Sequence, residues 1–157
     1  MIREWHKADI DWILALNATA EAETSPLERD ELAAMLARSS LSLVAEPDLG
    51  FIIVFDQQSD DDGGNYRWFK DRYSHFAYVD RIIIDAKTRG QGIGKQLYGR
   101  LFEAARQASY PFVGCEINIK PANPKSIAFH EGLGFTAIED RVLSPQKTVR
   151  YFQRPLR

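Results

Sequence analysis

Residues 76–108 read FAYVDRIIIDAKTRGQGIGKQLYGRLFEAARQA, which is a strand-like run, a glycine-rich turn and a helix-like run in succession. The three isoleucines at 82–84 are typical of a strand that is buried on both faces. After the turn, apolar residues recur at helical spacing from Ile93 to Ala108. The free N–H groups and the dipole at the start of such a helix attract anions. The stretch therefore predicts an anion-binding loop between a buried strand and a helix.

The loop itself, RGQGIGK at 89–95, limits which anion it fits. Its three glycines let a phosphate approach the backbone, and Arg89 and Lys95 add positive charge. Lys95 stands where a dinucleotide fingerprint needs its third glycine, and Gln96 stands where a P-loop needs serine or threonine. The spacing Arg-x-x-Gly-x-Gly is what remains. On this loop alone, a phosphate site and a solvated basic turn fit equally well.

A second motif, NPKSIAFHEGLGF at 123–135, follows another strand-like run at 115–119. Asn123 and Pro124 suit the N-cap and the first position of a helix. Loop and segment, in this order, resemble the acetyl-CoA signature Gln/Arg-x-x-Gly-x-Gly/Ala and the Asn-x-x-Ala/Ser…Tyr…Gly-Phe segment of the GNAT N-acetyltransferase superfamily. The resemblance covers residues 76–135 and is strongest to a group of predicted acetyltransferases with unsettled acceptors.

The resemblance implies one α/β domain over residues 1–157, with a mixed, mostly antiparallel twisted sheet of about seven strands and flanking helices. The two central parallel strands should splay apart and leave a gap for the thioester. It also implies acetyl-CoA as the cofactor, with its pyrophosphate on the backbone amides of the loop. The residues expected to bind acetyl-CoA are Ile82, Ile83, Ile84, Arg89, Gly90, Gln91, Gly92, Ile93, Gly94, Lys95, Asn123, Ser126 and Phe129.

The catalytic candidates depart from the family pattern. The family base is often a glutamate on the cofactor strand, and the matching position here is Tyr78. Asp80, two residues on, and Glu116 on the adjacent strand are the candidates for the base, although either could instead pair with a cation such as Arg81. His130 stands where the family has a tyrosine that protonates the leaving thiolate. It is a candidate acid, with a surface histidine as the alternative.

The acceptor site is expected near the end of the first helix, which should begin at Asp9 and run to about residue 23. Its apolar stripe ends in Asn17 and Glu21, which either line a pocket or only reach the surface. The aromatic and charged segment 66–73 could form a lid over the acceptor or a subunit interface in a homodimer. The expected acceptor-binding residues are Asn17, Glu21, Tyr66, Trp68 and Tyr78.

The remaining elements follow from local patterns. A capping box at Ser25–Glu28 predicts the start of a second helix. Residues 41–46 and 50–57 read as a hairpin, and residues 136–139 and 148–152 read as two later strands. The acidic run at 60–62 lacks the alternating ligands of a calcium loop and is expected to be a solvated turn.

Composition limits the class of protein. A net charge of −2 argues against nucleic acid and anionic membrane as partners, and the chain has no long apolar run or apolar leader. The single cysteine, Cys115, excludes an internal disulfide and reads as a small buried residue rather than an acyl carrier. We therefore expect a cytoplasmic protein.

Together these patterns predict an acetyl-CoA-dependent N-acetyltransferase that transfers acetyl directly to the amine of a small molecule. One alternative is an acetyltransferase for protein N-termini or lysines. The other is a non-catalytic module that binds acyl-CoA, because fold alone does not establish activity.

Overall fold

The computed structural model describes residues 1–20 and 24–157. Seven strands form one sheet in the order β1-β2-β3-β4-β5-β7-β6, and every neighbouring pair is antiparallel except β4 and β5, which are parallel. This confirms the expected mixed α/β fold. The strands are β1 (Ile2–Glu4), β2 (Leu41–Ala45), β3 (Gly50–Asp56), β4 (Ala77–Ile84), β5 (Phe112–Lys120), β6 (Thr136–Ser144) and β7 (Lys147–Pro155).

Five helices cover the two faces of the sheet. One apolar cluster joins α1 (Ile10–Ala18), α2 (Arg29–Arg38) and α3 (Gly64–Arg72) to the first face. A second cluster joins α4 (Ile93–Gln107) to the opposite face, and α5 (Pro124–Gly132) packs at its margin through Ile127. In the described ranges, no helix is long and apolar enough to cross a membrane.

A β-bulge interrupts β4 at the centre of the sheet. Arg81 lies opposite Ile53 and Val79 lies opposite Val54, so Asp80 is an extra residue with no partner on β3. The bulge reverses which side chains face each layer. Tyr78 and Ile83, an odd number of residues apart, therefore both pack in the cluster with α1, α2 and α3.

The parallel pairing of β4 with β5 is short. It comprises only the pairs Ala77–Val113 and Tyr78–Gly114, although both strands continue for several residues. Because the bulge follows directly after Tyr78, the two strands part at the middle of the sheet. This is the splay that the resemblance implied, and it opens the cleft described below.

The start of the second helix differs from the sequence prediction. The second helix begins at Arg29 rather than at Ser25, with the backbone N–H of Glu28 donating to the Glu31 carboxylate at 3.0 Å. Ser25 cannot cap because its hydroxyl and carbonyl oxygens both accept hydrogen bonds from Arg81. Asp9 is the N-cap residue of α1, as expected, but its side chain makes no capping hydrogen bond to that helix. Its carboxylate instead accepts hydrogen bonds from Arg3, Trp12 and the backbone of His6.

The segment 66–73 does not form a lid over the acceptor, because it is mostly α3 and its aromatic side chains belong to the core. Tyr66 is 1% exposed and Trp68 is 4% exposed. The Tyr66 hydroxyl donates to the backbone oxygen of Asp56 at 2.7 Å, and Trp68 stacks on Tyr151 with the ring centroids 4.0 Å apart. The charged residues between the aromatics lie on the solvent face of the helix.

A core role for α3 predicts a large loss of stability when its central aromatic is truncated. Phe69, which is fully buried, packs against Tyr78 and Phe112. We expect Phe69→Ala to lower the free energy of unfolding by about 3–5 kcal/mol in urea denaturation. Asp71→Ala, on the exposed face of the same helix, is the control and should change it by less than about 0.5 kcal/mol. A loss as small as the control's would contradict the core assignment.

Candidate active site

A cleft of about 790 Å³ opens where β4 and β5 part. Its walls are the second halves of these two strands, the loop before α4, the start of α4 and one face of α5. Most of the residues expected to bind the cofactor lie along it. They are Ile82, Ile83, Ile84, Arg89, Gly90, Gly92, Gly94, Lys95, Asn123, Ser126 and Phe129. Gln91 and Ile93 do not line the cleft, since Gln91 points to solvent and Ile93 packs into the core under α4.

The glycine loop has the backbone geometry of an anion cradle. Gly90 and Gly92 have φ angles of 84° and 83°, a region that side chains rarely adopt, and Gly92 is the N-cap of α4. A Cβ at either glycine would meet no atom within 4 Å, so the space in front of the loop is open. The N–H groups of the first turn of α4 have no partner within the helix and are available to a ligand.

The two helices beside the loop meet through a glycine and an aromatic ring. Asn123 caps α5 by accepting a hydrogen bond from the backbone N–H of Ser126 at 3.4 Å. A Cβ at Gly94 would lie 3.0 Å from Phe129, which is 38% exposed, so this glycine lets the ring close against α4. The cleft therefore has an apolar wall next to its cationic and amide-rich end.

Glu116 is the carboxylate placed at the gap between the strands. It lines the cleft from β5, and the hydroxyl of Tyr78 on β4 donates a hydrogen bond to its Oε1. Burial raises the pKa of Glu116 to about 8, although the bond from Tyr78 opposes this shift. Burial also holds the pKa of Tyr78 well above its ordinary value, so the phenol stays protonated and remains a donor. No arginine or lysine forms an ion pair with Glu116 in the described part of the chain.

Asp80 is paired, unlike Glu116. The Arg81 Nε donates to its Oδ2 at 2.7 Å, and Arg81 also donates to the Asn17 side chain at 2.9 Å and to both oxygens of Ser25. Burial raises the pKa of Asp80, while Arg81 opposes that shift. The arginine thus fixes the bulge to α1 and to the segment before α2. Asp80 does lie on the cleft, but Asn17 is 1% exposed and does not line it.

His130 is buried, so the surface alternative is wrong. Its Nδ1 lies 2.7 Å from the backbone oxygen of Ser126, which can only accept, so Nδ1 carries the proton. Its Nε2 therefore accepts from the hydroxyl of Tyr98, 2.7 Å away. Burial lowers the pKa of His130, which keeps the ring neutral. The ring has no free proton for a leaving thiolate, and the geometry favours a packing role.

None of the described residues that were expected to bind the acceptor lines the cleft, although Tyr78 donates a hydrogen bond to Glu116, which does. Tyr66 and Trp68 lie in the core, and Glu21 falls outside the described residues. Sequence reasoning missed Tyr98, which lines the cleft one helical turn after Gly94, a spacing that would have revealed it.

A family model described as the acetyltransferase (GNAT) family matches residues 5–135. The chain belongs to the GNAT acetyltransferase family. Its members are acyltransferases that use acetyl-CoA, and the open glycine cradle on α4 fits the phosphates of that cofactor.

Curated and solved relatives of this GNAT chain have different acceptors. Glucosamine 6-phosphate N-acetyltransferase of Trypanosoma brucei brucei is 36% identical over 62 residues, a match that spans 40% of this chain and 39% of that protein. Ribosomal-protein-alanine N-acetyltransferase of Brucella melitensis has a TM-score of 0.74 at 20% identity, with 99% of each chain covered. The yncA protein of Salmonella typhimurium, solved with acetyl-CoA, has a TM-score of 0.72 at 20% identity, covering 100% of this chain and 94% of its own.

A negative charge placed in the glycine cradle should weaken cofactor binding. We expect Gly92→Asp to weaken acetyl-CoA binding by about tenfold or more in calorimetry, because a carboxylate would face the pyrophosphate at the start of α4. Gly99→Asp, on the exposed face of the same helix, adds the same charge and should leave the Kd within about twofold. Equal affinities for the two variants would contradict this site.

Proposed function

We propose that this protein is an acetyl-CoA-dependent N-acetyltransferase that transfers acetyl directly to the amine of a small molecule, with Glu116 as the base. The observation that carries the proposal is the Glu116 carboxylate, which lines the cleft where β4 and β5 part and forms no ion pair in the described part of the chain. Asp80 lies on the same cleft but is neutralised by Arg81.

The cofactor's place follows from the cradle. The backbone amides at the start of α4, with Arg89 and Lys95, would hold its phosphates, and Phe129 would cover its chain. When bound, acetyl-CoA supplies the activated acyl group and the thiolate that leaves. Alternate N–H groups of β4 beyond the bulge point towards the gap and have no partner on β5, so they are available to an acyl carbonyl.

Glu116 suits the removal of a proton from an ammonium. An alkylammonium has a pKa of about 10, which is about six units above that of an ordinary glutamate, so transfer of its proton to such a glutamate is unfavourable. A glutamate with a pKa of about 8 narrows the difference between the two pKa values to about two units. The amine nitrogen then bonds to the acyl carbon as the carbon–sulfur bond breaks. Glu116 would take one proton from the ammonium before this bond forms and release it to solvent. The nitrogen would give up a second proton on becoming the amide, and this proton would balance the thiolate that leaves with the carbon–sulfur bonding pair.

A small acceptor is favoured by the shape of the cleft at this end. Ala20 and Thr24, both small, line the same cleft as Asp80 and Glu116 and would leave room beside Glu116 for a compact amine. The sugar-phosphate acetyltransferase relative supports the same class of acceptor over the matched 62 residues. Alignment of the two reactants in this confined space would supply much of the rate.

The proposal is tested by thiol release from acetyl-CoA with a panel of small amines, amino sugars and peptides bearing free N-termini or lysines. We expect turnover with at least one small amine and a loss of about a hundredfold or more in Glu116→Gln. Because the base must be ionised, kcat/KM should fall as the pH drops below about 8, and Glu116→Gln should lose this dependence.

The other outcomes are distinct. Turnover with peptides alone would replace the small acceptor with a protein. Binding of acetyl-CoA without thiol release for any acceptor would indicate a non-catalytic module. Full activity in Glu116→Gln would remove Glu116 from the mechanism.

A further inference from the structure

We propose that Tyr78 is a positioning residue for acyl transfer, which holds the carboxylate of Glu116 across the gap between β4 and β5. This inference rests on the proposed role of Glu116. It assigns to Tyr78 a function other than contact with the acceptor.

The bond between Tyr78 and Glu116 spans the place where backbone pairing ends. Tyr78 and Gly114 form the last pair of the parallel ladder. Glu116 follows Gly114 by two residues on the same face of β5, where it lies opposite Tyr151 in the cluster with α1, α2 and α3. The Tyr78 side chain projects towards this face and reaches the carboxylate beyond the last backbone pair. A side-chain bond therefore continues the connection between two strands that no longer pair.

The phenol is held in place by an aromatic cluster from α3. The Phe69 ring centroid lies 5.3 Å from that of Tyr78, and the Tyr66 centroid lies 6.0 Å from it. Gly114 makes this packing possible, since a Cβ there would come within 2.7 Å of the Phe69 ring. With no side chain at Gly114, the Phe69 ring lies against β5 directly beside Tyr78. The three rings leave the hydroxyl little freedom to move away from Glu116.

The bond has two consequences for a base. It fixes one carboxylate oxygen and leaves the other free for an amine in the cleft. It also stabilises the ionised form of Glu116, against the burial that favours the protonated form. The other charged groups that influence the pKa of Glu116 are Asp80, which raises it, and Lys147 on β7 and Arg81, which lower it. Glu116 in turn raises the pKa values of Cys115 on β5, Tyr98 on α4 and Tyr151 on β7.

The test is Tyr78→Phe, which keeps the ring and removes the hydroxyl. We expect the rise of kcat/KM with pH to move upward by about one pH unit and kcat at pH 7 to fall about tenfold. The Kd for acetyl-CoA should stay within about twofold, because the cradle is unchanged.

Tyr110→Phe is the matched control. The Tyr110 hydroxyl donates to the carboxylate of Asp56 at 2.6 Å, and neither residue lines the cleft. This variant loses the same kind of bond, and its pH profile and kcat should match those of the unmodified protein.

Gly114→Ala is an independent test, because it retains the Tyr78 hydroxyl but displaces the Phe69 ring that packs against Tyr78. We expect a lower kcat and the same upward shift of the pH profile. An unshifted profile in Tyr78→Phe would overturn the inference. If that variant does not fold by circular dichroism, an unshifted profile in Gly114→Ala would do so. Failure of the base assignment is separate, because Glu116→Gln would then be fully active.

Discussion

The site depends on one constraint, which is the end of pairing between β4 and β5 after Tyr78 and Gly114. The bulge at Asp80 turns β4 away from its parallel neighbour, and the gap that results becomes the cleft. Opening a sheet at its centre leaves backbone N–H and C=O groups without partners on the neighbouring strand, and it buries polar side chains in an apolar layer. The chain compensates at both edges of the gap. Tyr78 donates a hydrogen bond to Glu116 where the gap begins, and Arg81 joins the bulge to Asn17 and Ser25.

These interactions explain why the two carboxylates of the cleft, Asp80 and Glu116, differ in their partners and in their availability as a base. Asp80 has a guanidinium at 2.7 Å, and a buried pair of this kind is satisfied and unavailable. In the described part of the chain, the partner of Glu116 is a neutral phenol, so burial keeps the pKa of Glu116 high. Because the two environments differ, Asp80 would have a structural role while Glu116 acts as a base at neutral pH.

The sequence predicted the cofactor end of the site because its determinants are local. Gly90 and Gly92 are needed because φ is positive at these positions. Asn123 caps α5 by a bond to the backbone of Ser126, only three residues further along the chain. The acceptor end depends on pairing between distant residues, which periodicity cannot reveal. The bulge exists only relative to Ile53 and Val54, so the spacing between Tyr78 and Asp80 could not reveal that Asp80 has no partner on β3. The i, i+3, i+7 spacing of Tyr66, Phe69 and Tyr73 is typical of an amphipathic helix, but the mixture of aromatic and charged residues suggested a lid or a subunit interface instead.

The central claim is that Glu116 is a base whose pKa is raised by its place at the gap. It is tested most directly by carbon-13 NMR titration of protein labelled at the glutamate side-chain carboxyls, with the Glu116 resonance identified by its absence in Glu116→Gln. The account predicts a titration midpoint of about 8 in the absence of acceptor. A midpoint near 4.5, the ordinary value for a glutamate, would contradict it.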